Sequence, residues 1–225
     1  MTAGRVIAII GAESTGKSTL AVALAARIVE QTGLRCCVVG EYLREWCNRE
    51  GRTPLASEQL AIAVEQQRRI DTAAAGHDIV VADTLPLMVA VYSQLLFDDT
   101  SLVTMAIATQ RSAALTLLTA LDLPWVADGL QRDGEHVREP VDRAVRALLN
   151  AHGLGWSVVG GQGTARLDQA FAAVTPLLAT LAPAHAGLFT GLAARDAAMP
   201  VWRWVCDRCD VADCEHAALR EAQGR

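Results

Sequence analysis

The segment that most constrains the fold is GAESTGKS at residues 11–18, which stands between a strand-like stretch and a helix-like stretch. Residues 5–10 (RVIAII) form a short apolar run rich in β-branched side chains, as is typical of a strand buried on both faces. Residues 18–31 have the length of a helix, and Gly33 behind them is a typical helix end. The order strand, glycine-bounded loop, helix predicts a loop that lies at the carboxyl edge of a parallel sheet.

The spacing G-x-x-x-x-G-K-[ST] in this segment is that of a phosphate-binding loop. Gly11 and Gly16 permit backbone torsions that a Cβ would disfavour, so successive N–H groups can turn onto phosphate oxygens. Lys17 is the one lysine among 20 basic residues, and its ammonium suits the β- and γ-phosphates, while the Ser18 hydroxyl suits Mg²⁺. We therefore predict that ATP, with Mg²⁺, binds the whole loop: Gly11, Ala12, Glu13, Ser14, Thr15, Gly16, Lys17, Ser18 and Thr19.

Strand-like and helix-like stretches continue to alternate as far as residue 182. Further strands are predicted at 35–39, 78–82, 123–127 and 156–159, and helices at 57–75, 85–97, 102–121, 141–151 and 165–181. This alternation predicts an α/β protein with a P-loop three-layer fold, in which helices cover both faces of a five-stranded parallel sheet. Residues 183–225, with their grouped tryptophans and cysteines, are predicted to form a small Cys-rich appendage outside a 1–182 domain.

Composition excludes several classes of protein. The chain has 225 residues, of which 52% are hydrophobic and 20% charged, so it can bury a core and is not disordered. Its net charge of −5 provides no general basic surface, and nucleic acid is not an expected partner. The first apolar run is too short for a signal peptide, and prolines interrupt the long uncharged run between Asp168 and Arg195. We expect a cytoplasmic protein without a membrane span.

Three acidic residues follow predicted strands, where ligands of open α/β sheets bind. Asp83 follows the third strand and is predicted to hold Mg²⁺ together with Ser18. Glu41 follows the second strand, where a carboxylate can accept the proton of an attacking hydroxyl group. Asp128 follows the fourth and is predicted to bind acceptor hydroxyls or to organise the next loop. The alternative for each acid is a helix cap or a solvated surface position.

Arginines supply the positive charge that phosphoryl transfer needs around the reacting phosphate. Arg44 lies one helical turn after Glu41 and could reach a phosphate or pair with Glu41. Arg132 and Arg138 lie in the polar loop that follows Asp128, and we predict that they close over the transferred phosphate. The alternative for both is a solvated surface charge.

The C-terminal cysteines form the pattern C-x2-C-x4-C-x-H. Three thiolates and one imidazole match a closed tetrahedral Zn²⁺ site, which would stabilise a short segment with little core of its own. Unliganded thiols are the main alternative, and an iron–sulfur cluster is a further one. The predicted zinc ligands are Cys206, Cys209, Cys214 and His216.

Four segments together resemble the kinase domain of NadR-type proteins, the nicotinamide riboside kinases of NAD metabolism: GAESTGKSTL, EYLREW at 41–46, VADTLPL around Asp83 and LPWVADGLQRD around Asp128. The resemblance covers about residues 5–180. It implies the fold of nucleoside and nucleotide monophosphate kinases and the ATP- and Mg²⁺-dependent phosphorylation of the ribose 5′-hydroxyl of nicotinamide riboside.

The resemblance also implies roles by position. Lys17 and Ser18 would serve ATP and metal, Asp83 metal or hydroxyl, and the adenine would lie near residues 161–164. The acceptor site would include Glu41, Arg44 and Asp128. Alternatively, Asp128 would belong to the polar loop that closes over the transferred phosphate. Gly40 stands where the family is expected to have an aromatic residue against the nicotinamide ring, which leaves Trp46 and Trp125 as candidates.

Two functions remain open on the residues themselves. The first is an ATP-dependent small-molecule kinase that acts on a hydroxyl group of a nucleoside-like acceptor. The second is a regulatory P-loop ATPase, or nucleotide-sensing module, without a small-molecule acceptor. A GTPase switch is disfavoured because the sequence has no N-K-x-D element for guanine.

Overall fold

One five-stranded parallel sheet organises the residues that this computed structural model describes, 3–126 and 134–181. Its order is β2-β3-β1-β4-β5. The central strand β1 pairs in parallel with β3 on one side and with β4 on the other. The predicted sheet is thereby confirmed, and the strand that leads into the phosphate loop lies at its centre. The strands are β1 (Arg5–Ile10), β2 (Cys36–Val39), β3 (Ile79–Asp83), β4 (Leu115–Thr119) and β5 (Ser157–Val159).

Helices connect the strands, and local sequence explains several of their ends. The first helix stops at Gly33, which has a φ of 69° and donates its N–H to the Val29 carbonyl at 2.9 Å. The fourth begins on Pro86, whose missing N–H costs nothing at that position. The α-helices are α1 (Lys17–Thr32), α2 (Tyr42–Glu50), α3 (Gln59–Gly76), α4 (Pro86–Phe97), α5 (Val103–Ser112), α6 (Arg138–Ala151) and α7 (Gly163–Ala179).

The core has one layer on each face of the sheet. Alternate residues of β1 point to opposite layers, so that Ile7 and Ile9 lie in one and Ala8 and Ile10 in the other. Helices α1 and α7 complete the layer around Ile7 and Ile9, while α3, α4, α5 and α6 contribute to the other. Burying each isoleucine fully contributes about 1.5–3 kcal/mol. These two layers hold β1, and with it the start of the phosphate loop, in a fixed position.

The prediction for the fourth strand was wrong. Residues 102–121 were predicted to be one helix and 123–127 a strand, but the helix α5 ends at Ser112 and the strand β4 covers Leu115–Thr119. Leu117 and Leu118 are both fully buried, and a short run that is buried on both faces has no periodicity to separate strand from helix.

This correction changes which acidic residue lies near the end of the fourth strand. Asp128 is nine positions beyond the end of β4 and lies outside the described residues, whereas Asp122 is three positions beyond that end. The Asp122 side chain contacts the phosphate loop indirectly, as described below.

Several predictions concern parts of the chain outside the described residues. They include Arg132, the zinc ligands Cys206, Cys209, Cys214 and His216, and the appendage from residue 183 onwards. Within 3–126 and 134–181, no helix is long and apolar enough to cross a membrane. In the same ranges, no three histidine, cysteine or acidic side chains are grouped as a metal site would require.

Candidate active site

The loop between β1 and α1 has the backbone shape that phosphate binding requires. Gly11, Ser14 and Gly16 have positive φ angles of 144°, 54° and 74°. A Cβ on Gly11 would lie 2.2 Å from the Oγ1 atom of Thr119, so only glycine fits there. Gly16 provides no side-chain cap for α1, and the first turn carries no acid. The N–H groups at the start of α1 are therefore suited to an anion.

Side-chain hydrogen bonds hold this loop from within and from β4. The Thr15 and Thr119 hydroxyls lie 2.7 Å apart. The Thr15 hydroxyl is also within hydrogen-bond distance of the Ala12 carbonyl, at 2.8 Å. The Thr119 hydroxyl is likewise 3.2 Å from the Ile10 carbonyl. Ser14 Oγ accepts a hydrogen bond from the Val126 N–H at 2.8 Å. The loop is thus preorganised by contacts that do not involve the N–H groups at the start of α1.

Lys17 is the charged centre of the site. Its side chain is buried at 6% exposure, and Nζ donates to the Ala12 carbonyl at 2.8 Å. Burial lowers the pKa of Lys17 below its ordinary 10.5, while the Glu41 and Asp83 carboxylates act to raise it. An ammonium group has three donors. This buried ammonium can therefore donate to a phosphate oxygen in addition to Ala12.

Asp83 ends β3 inside the protein. Its exposure is 3%, and Oδ1 has no hydrogen-bond partner among the described residues. A buried carboxylate oxygen without a donor is costly unless a cation is close. Ser18 lies half-buried in the first turn of α1, and hydroxyl and carboxylate oxygens are ligands that Mg²⁺ accepts. The pair Ser18 and Asp83 therefore fits a Mg²⁺ site chemically.

Glu41 and Arg44 form an ion pair at the start of α2. Arg44 Nη2 lies 3.4 Å from Glu41 Oε2, and the two side chains are 38% and 9% exposed. Although Glu41 occupies the N-cap position, its carboxylate makes no capping hydrogen bond. Of the two contacts predicted for Arg44, the one with Glu41 is present.

Arg138 lies elsewhere than predicted. It is the first residue of α6 and not part of the preceding loop, and it is buried at 5% exposure. Its Nε and Nη2 atoms have no hydrogen-bond partner among the described residues. The solvated-surface alternative is therefore wrong for Arg138, and a buried guanidinium with unused donors is suited to an anion.

A second buried arginine connects the phosphate loop to the loop that follows β5. Arg166, in α7, donates to the Thr15 carbonyl at 2.8 Å, to Gly161 O at 2.9 Å and to Asp122 Oδ1 at 2.8 Å. Burial acts to raise the pKa of Asp122, but hydrogen bonds from Arg166 and the Gly161 N–H lower it overall. Neither Arg166 nor Asp122 was predicted from the sequence, because nothing local marks residues 44 positions apart as partners.

Gln66 was also missed, although the sequence holds a signal for it. The buried face of α3 carries Ile62, Ala63, Gln66 and Ile70, so a polar residue stands in an apolar stripe. Its amide contacts the backbone on either side of Glu41 and directly after Asp83.

The two tryptophans differ as candidates for an aromatic contact. Trp46 is buried at 8% exposure within the core, and the Arg52 guanidinium lies 4.9 Å from its ring centroid. Trp125 is half-buried, and its indole N–H has no partner among the described residues. Trp125, which adjoins the Val126 contact of the phosphate loop, is therefore the better candidate.

Solved structures with similar folds include two of NadR. This chain matches NadR in complex with NR with a TM-score of 0.62 at 19% identity, covering 82% of this chain and 54% of that one. It matches NadR in complex with NAD and AMP-PNP with a TM-score of 0.58 at 18% identity, covering 78% of this chain and 50% of that one. The chain thus spans about half the length of the NadR structures.

Thymidylate kinase from Ehrlichia chaffeensis is a further match, with a TM-score of 0.56 at 14% identity, covering 79% of this chain and 100% of that one. A search of curated protein sequences finds no match. The structural matches confirm the P-loop kinase-like fold that the resemblance to NadR-type proteins implies. The model of the family described as "AAA domain" matches residues 6–166, and the chain belongs to that family.

Proposed function

We propose that this protein is an ATP-dependent phosphotransferase that transfers the γ-phosphoryl group to a hydroxyl group of a small nucleoside-like acceptor. The observation that carries the proposal is the buried Lys17 side chain at the start of α1, whose Nζ donates to the Ala12 carbonyl at 2.8 Å. The Glu41 and Asp83 carboxylates act to raise the pKa of this ammonium. Nicotinamide riboside is the first candidate acceptor, because the fold matches NadR in complex with NR and four sequence segments resemble the NadR kinase domain.

In this mechanism the phosphate loop and Lys17 bind the β- and γ-phosphates and neutralise their charge. The acceptor hydroxyl oxygen attacks the γ-phosphorus, the bond from that phosphorus to the β–γ bridging oxygen breaks, and ADP leaves. Glu41 accepts the proton of the acceptor hydroxyl. Arg44 orients Glu41, while Arg138 and Arg132 stabilise the negative charge on the transferred phosphoryl group.

Ser18 and Asp83 are the residues that would hold Mg²⁺. When bound there, the ion would neutralise charge on the β- and γ-phosphates. The buried Asp83 oxygen without a partner among the described residues supports this assignment. Asp128 remains a proposed acceptor ligand and Trp125 a proposed contact for the acceptor ring.

An acceptor panel tests the function. Purified protein is given ATP, Mg²⁺ and one of a set of nucleosides that includes nicotinamide riboside, and ADP and phosphorylated products are followed by mass spectrometry. The kinase proposal expects ADP and a phosphorylated acceptor in equal amounts. Slow ATP hydrolysis at the same rate with every acceptor would favour the regulatory ATPase instead.

The role of Glu41 has a matched control in α2, the helix that begins directly after Glu41. Glu41→Gln should lower kcat by roughly 10²–10⁴-fold, because the proton loses its acceptor, while the KM for ATP changes little. Glu45→Gln is the control, since Glu45 is exposed and paired with Arg69. Wild-type kcat in Glu41→Gln would exclude Glu41 as the base.

We also propose that Cys206, Cys209, Cys214 and His216 hold a structural Zn²⁺ ion. The support is the ligand set itself, three thiolates and an imidazole within eleven residues. Metal analysis of the gently purified protein should find one zinc per chain, and Cys209→Ser should remove it. Less than half a zinc per wild-type chain would contradict the assignment.

A further inference from the structure

Gln66 connects two loops that are far apart in sequence. The side chain is buried at 2% exposure on α3. Its Oε1 atom accepts the Tyr42 N–H at 2.7 Å, and its Nε2 atom donates to the Gly40 and Thr84 carbonyls, each at 3.3 Å. A primary amide is needed for this set of contacts, because it combines an acceptor with two donors at one end of a side chain.

The groups that Gln66 binds are the backbone neighbours of the two proposed reactive carboxylates. Gly40 and Tyr42 stand on either side of Glu41, and Thr84 follows Asp83. Both carboxylates act on the same ammonium, that of Lys17. One amide therefore connects the backbone on either side of Glu41, after β2, to the backbone directly after Asp83, at the end of β3.

The backbone at Thr84 shows why such a connection is needed. Thr84 is β-branched and buried at 3% exposure, yet its φ is 73°. This conformation is unfavourable for a β-branched residue and persists only where surrounding contacts fix it. Thr84 N–H donates to the Ile9 carbonyl at 3.0 Å, and the Thr84 carbonyl accepts from Gln66. β1 and α3 thus hold the turn after Asp83 from two sides.

We propose that Gln66 is a positioning residue that fixes Asp83 and Glu41 relative to each other, so that Mg²⁺-linked ATP binding and proton acceptance both depend on it. The inference rests on the roles given to Glu41 and Asp83 in the proposed function. Gln66 itself contacts backbone groups and not the reacting atoms, and its effect passes through the two loops.

Two substitutions of Gln66 and one of its neighbour test this role. Gln66→Met keeps the length of the side chain but removes all polar contacts. Gln66→Glu retains an acceptor for Tyr42 but removes both donors. Gln67→Met is the control, because among the described residues the Gln67 amide donates to Asp71, one turn along the same helix, and to no other group. For each variant, calorimetry measures the affinity for ATP with and without Mg²⁺, and the acceptor assay gives kcat.

Both Gln66 variants should lose about tenfold of the Mg²⁺-dependent gain in ATP affinity, because Asp83 has moved. Metal-free affinity should stay within about twofold of wild type, because the Gln66 contacts among the described residues are with the backbone beside Glu41 and Asp83 and not with the phosphate loop. Their kcat should fall by roughly a hundredfold, the effect of a misplaced reacting group. Gln67→Met should match wild type in both readouts. A merely structural role would lower the melting temperature without changing the ratio of affinities.

The binding readout separates this inference from the proposed function. If the wild type phosphorylates no acceptor, the kinase proposal fails, while the Mg²⁺-dependent gain in ATP affinity still decides the role of Gln66. Folded Gln66→Met or Gln66→Glu protein with the full wild-type gain would overturn the inference. So would failure of both variants to fold, because Gln66 would then serve the fold alone.

Discussion

Lys17 is the single lysine of this chain, so a reagent that modifies lysine side chains reports on this residue alone. Burial lowers the pKa of Lys17 below its ordinary value of 10.5. In the folded protein, half of the Lys17 side chains are therefore neutral at a pH below 10.5. Only the neutral amine is nucleophilic, so the modification of Lys17 by a small acylating reagent, taken relative to its own maximum at high pH, should rise at lower pH in the folded protein than in the unfolded chain. Peptide mass spectrometry across a pH series measures this, and it separates the Lys17 peptide from the N-terminal amine.

ATP supplies the control for this labelling experiment. Bound triphosphate stabilises the ammonium form and covers it, so ATP should protect Lys17 and leave the N-terminal amine unaffected. The same shift has a consequence for stability. Between the lowered pKa and 10.5 the unfolded chain binds more protons, so the free energy of unfolding rises with pH in that window. A Lys17 that titrates alike in folded and unfolded protein would contradict the burial of its charge.

What the sequence reveals at residue scale depends on whether the contact is local. The roles of Gly11, Gly16 and Lys17 follow from the spacing of eight adjacent residues, because loop geometry and helix start are both local. Gln66 and Arg166 were not predicted, because the partners of Gln66 lie 18 to 26 positions away and those of Arg166 up to 151 positions away. A polar side chain in the apolar stripe of α3 is the one signal that the sequence offered for Gln66.

At the scale of elements, the junction of β1 with the phosphate loop is the most sterically restricted turn in the site. Gly11→Ala would place a Cβ 2.2 Å from Thr119 Oγ1 at a φ of 144°. We expect the free energy of unfolding to fall by roughly 1–3 kcal/mol, and ATP affinity to fall as the loop shifts. Denaturant unfolding and calorimetry measure the two effects.

Gly76→Ala is the matched control for this substitution. A Cβ on Gly76 meets no atom within 4 Å, and Gly76 ends the helix α3 without a positive φ. Its stability should stay at the wild-type value or rise slightly, because alanine restricts the unfolded chain more than glycine does. Equal losses in both variants would mean that the contact with Thr119 is not the cause.

The connection from Arg166 to the phosphate loop predicts a specific loss of nucleotide binding. Arg166→Met removes four hydrogen bonds, including the one to the Thr15 carbonyl. We expect ATP affinity to fall about ten- to hundredfold, since charge-assisted bonds contribute about 1.5–3 kcal/mol each. Asp122→Asn should weaken binding in the same direction, and the double variant should lose less than the sum of the two.

Arg27 is the control for Arg166. It belongs to α1, pairs with Asp168 of α7 and lies over the Phe171 ring, but its contacts are at the surface. Arg27→Met should leave ATP affinity within about twofold of wild type, since exposed ion pairs contribute at most about 1 kcal/mol. If Arg27→Met weakens ATP binding as much as Arg166→Met, the packing of α1 against α7 is responsible and not the Thr15 contact.

Boundaries of helices and strands were predictable where a glycine, a proline or a charged residue marks the end of a segment, and not elsewhere. β1 was predicted to the residue, because charge and glycine flank an apolar run. The boundary between α5 and β4 was not, since LTLLT follows a helical segment without glycine or proline. A strand predicted at 123–127 ends before Asp128, whereas the observed β4 ends three positions before Asp122, which contacts Arg166.

At the scale of the whole molecule, the strand order divides the site into two halves that meet at β1. β2 and β3 lie on one side and bring Glu41 and Asp83 to the carboxyl edge of the sheet. β4 and β5 lie on the other and bring Thr119 and the Gly161 loop. We infer that the acceptor enters over the first half and the nucleoside part of ATP over the second, with the phosphates between them.

This division predicts how ligands stabilise the protein. In the proposed function, ATP with Mg²⁺ would contact the loop that β1, α1 and β4 hold together, so its binding would be linked to global unfolding. At a thousand times its Kd, a ligand that binds only the folded state adds about 4 kcal/mol of stability, which raises the melting temperature by roughly 8–16 °C for a chain of this size. Lys17→Ala should abolish this shift, whereas Glu41→Gln, which removes the proposed proton acceptor but leaves the Lys17 ammonium and the phosphate loop in place, should retain most of it. Thermal unfolding followed by circular dichroism measures all three proteins. Loss of the ATP shift in Glu41→Gln would show that the two halves do not act separately.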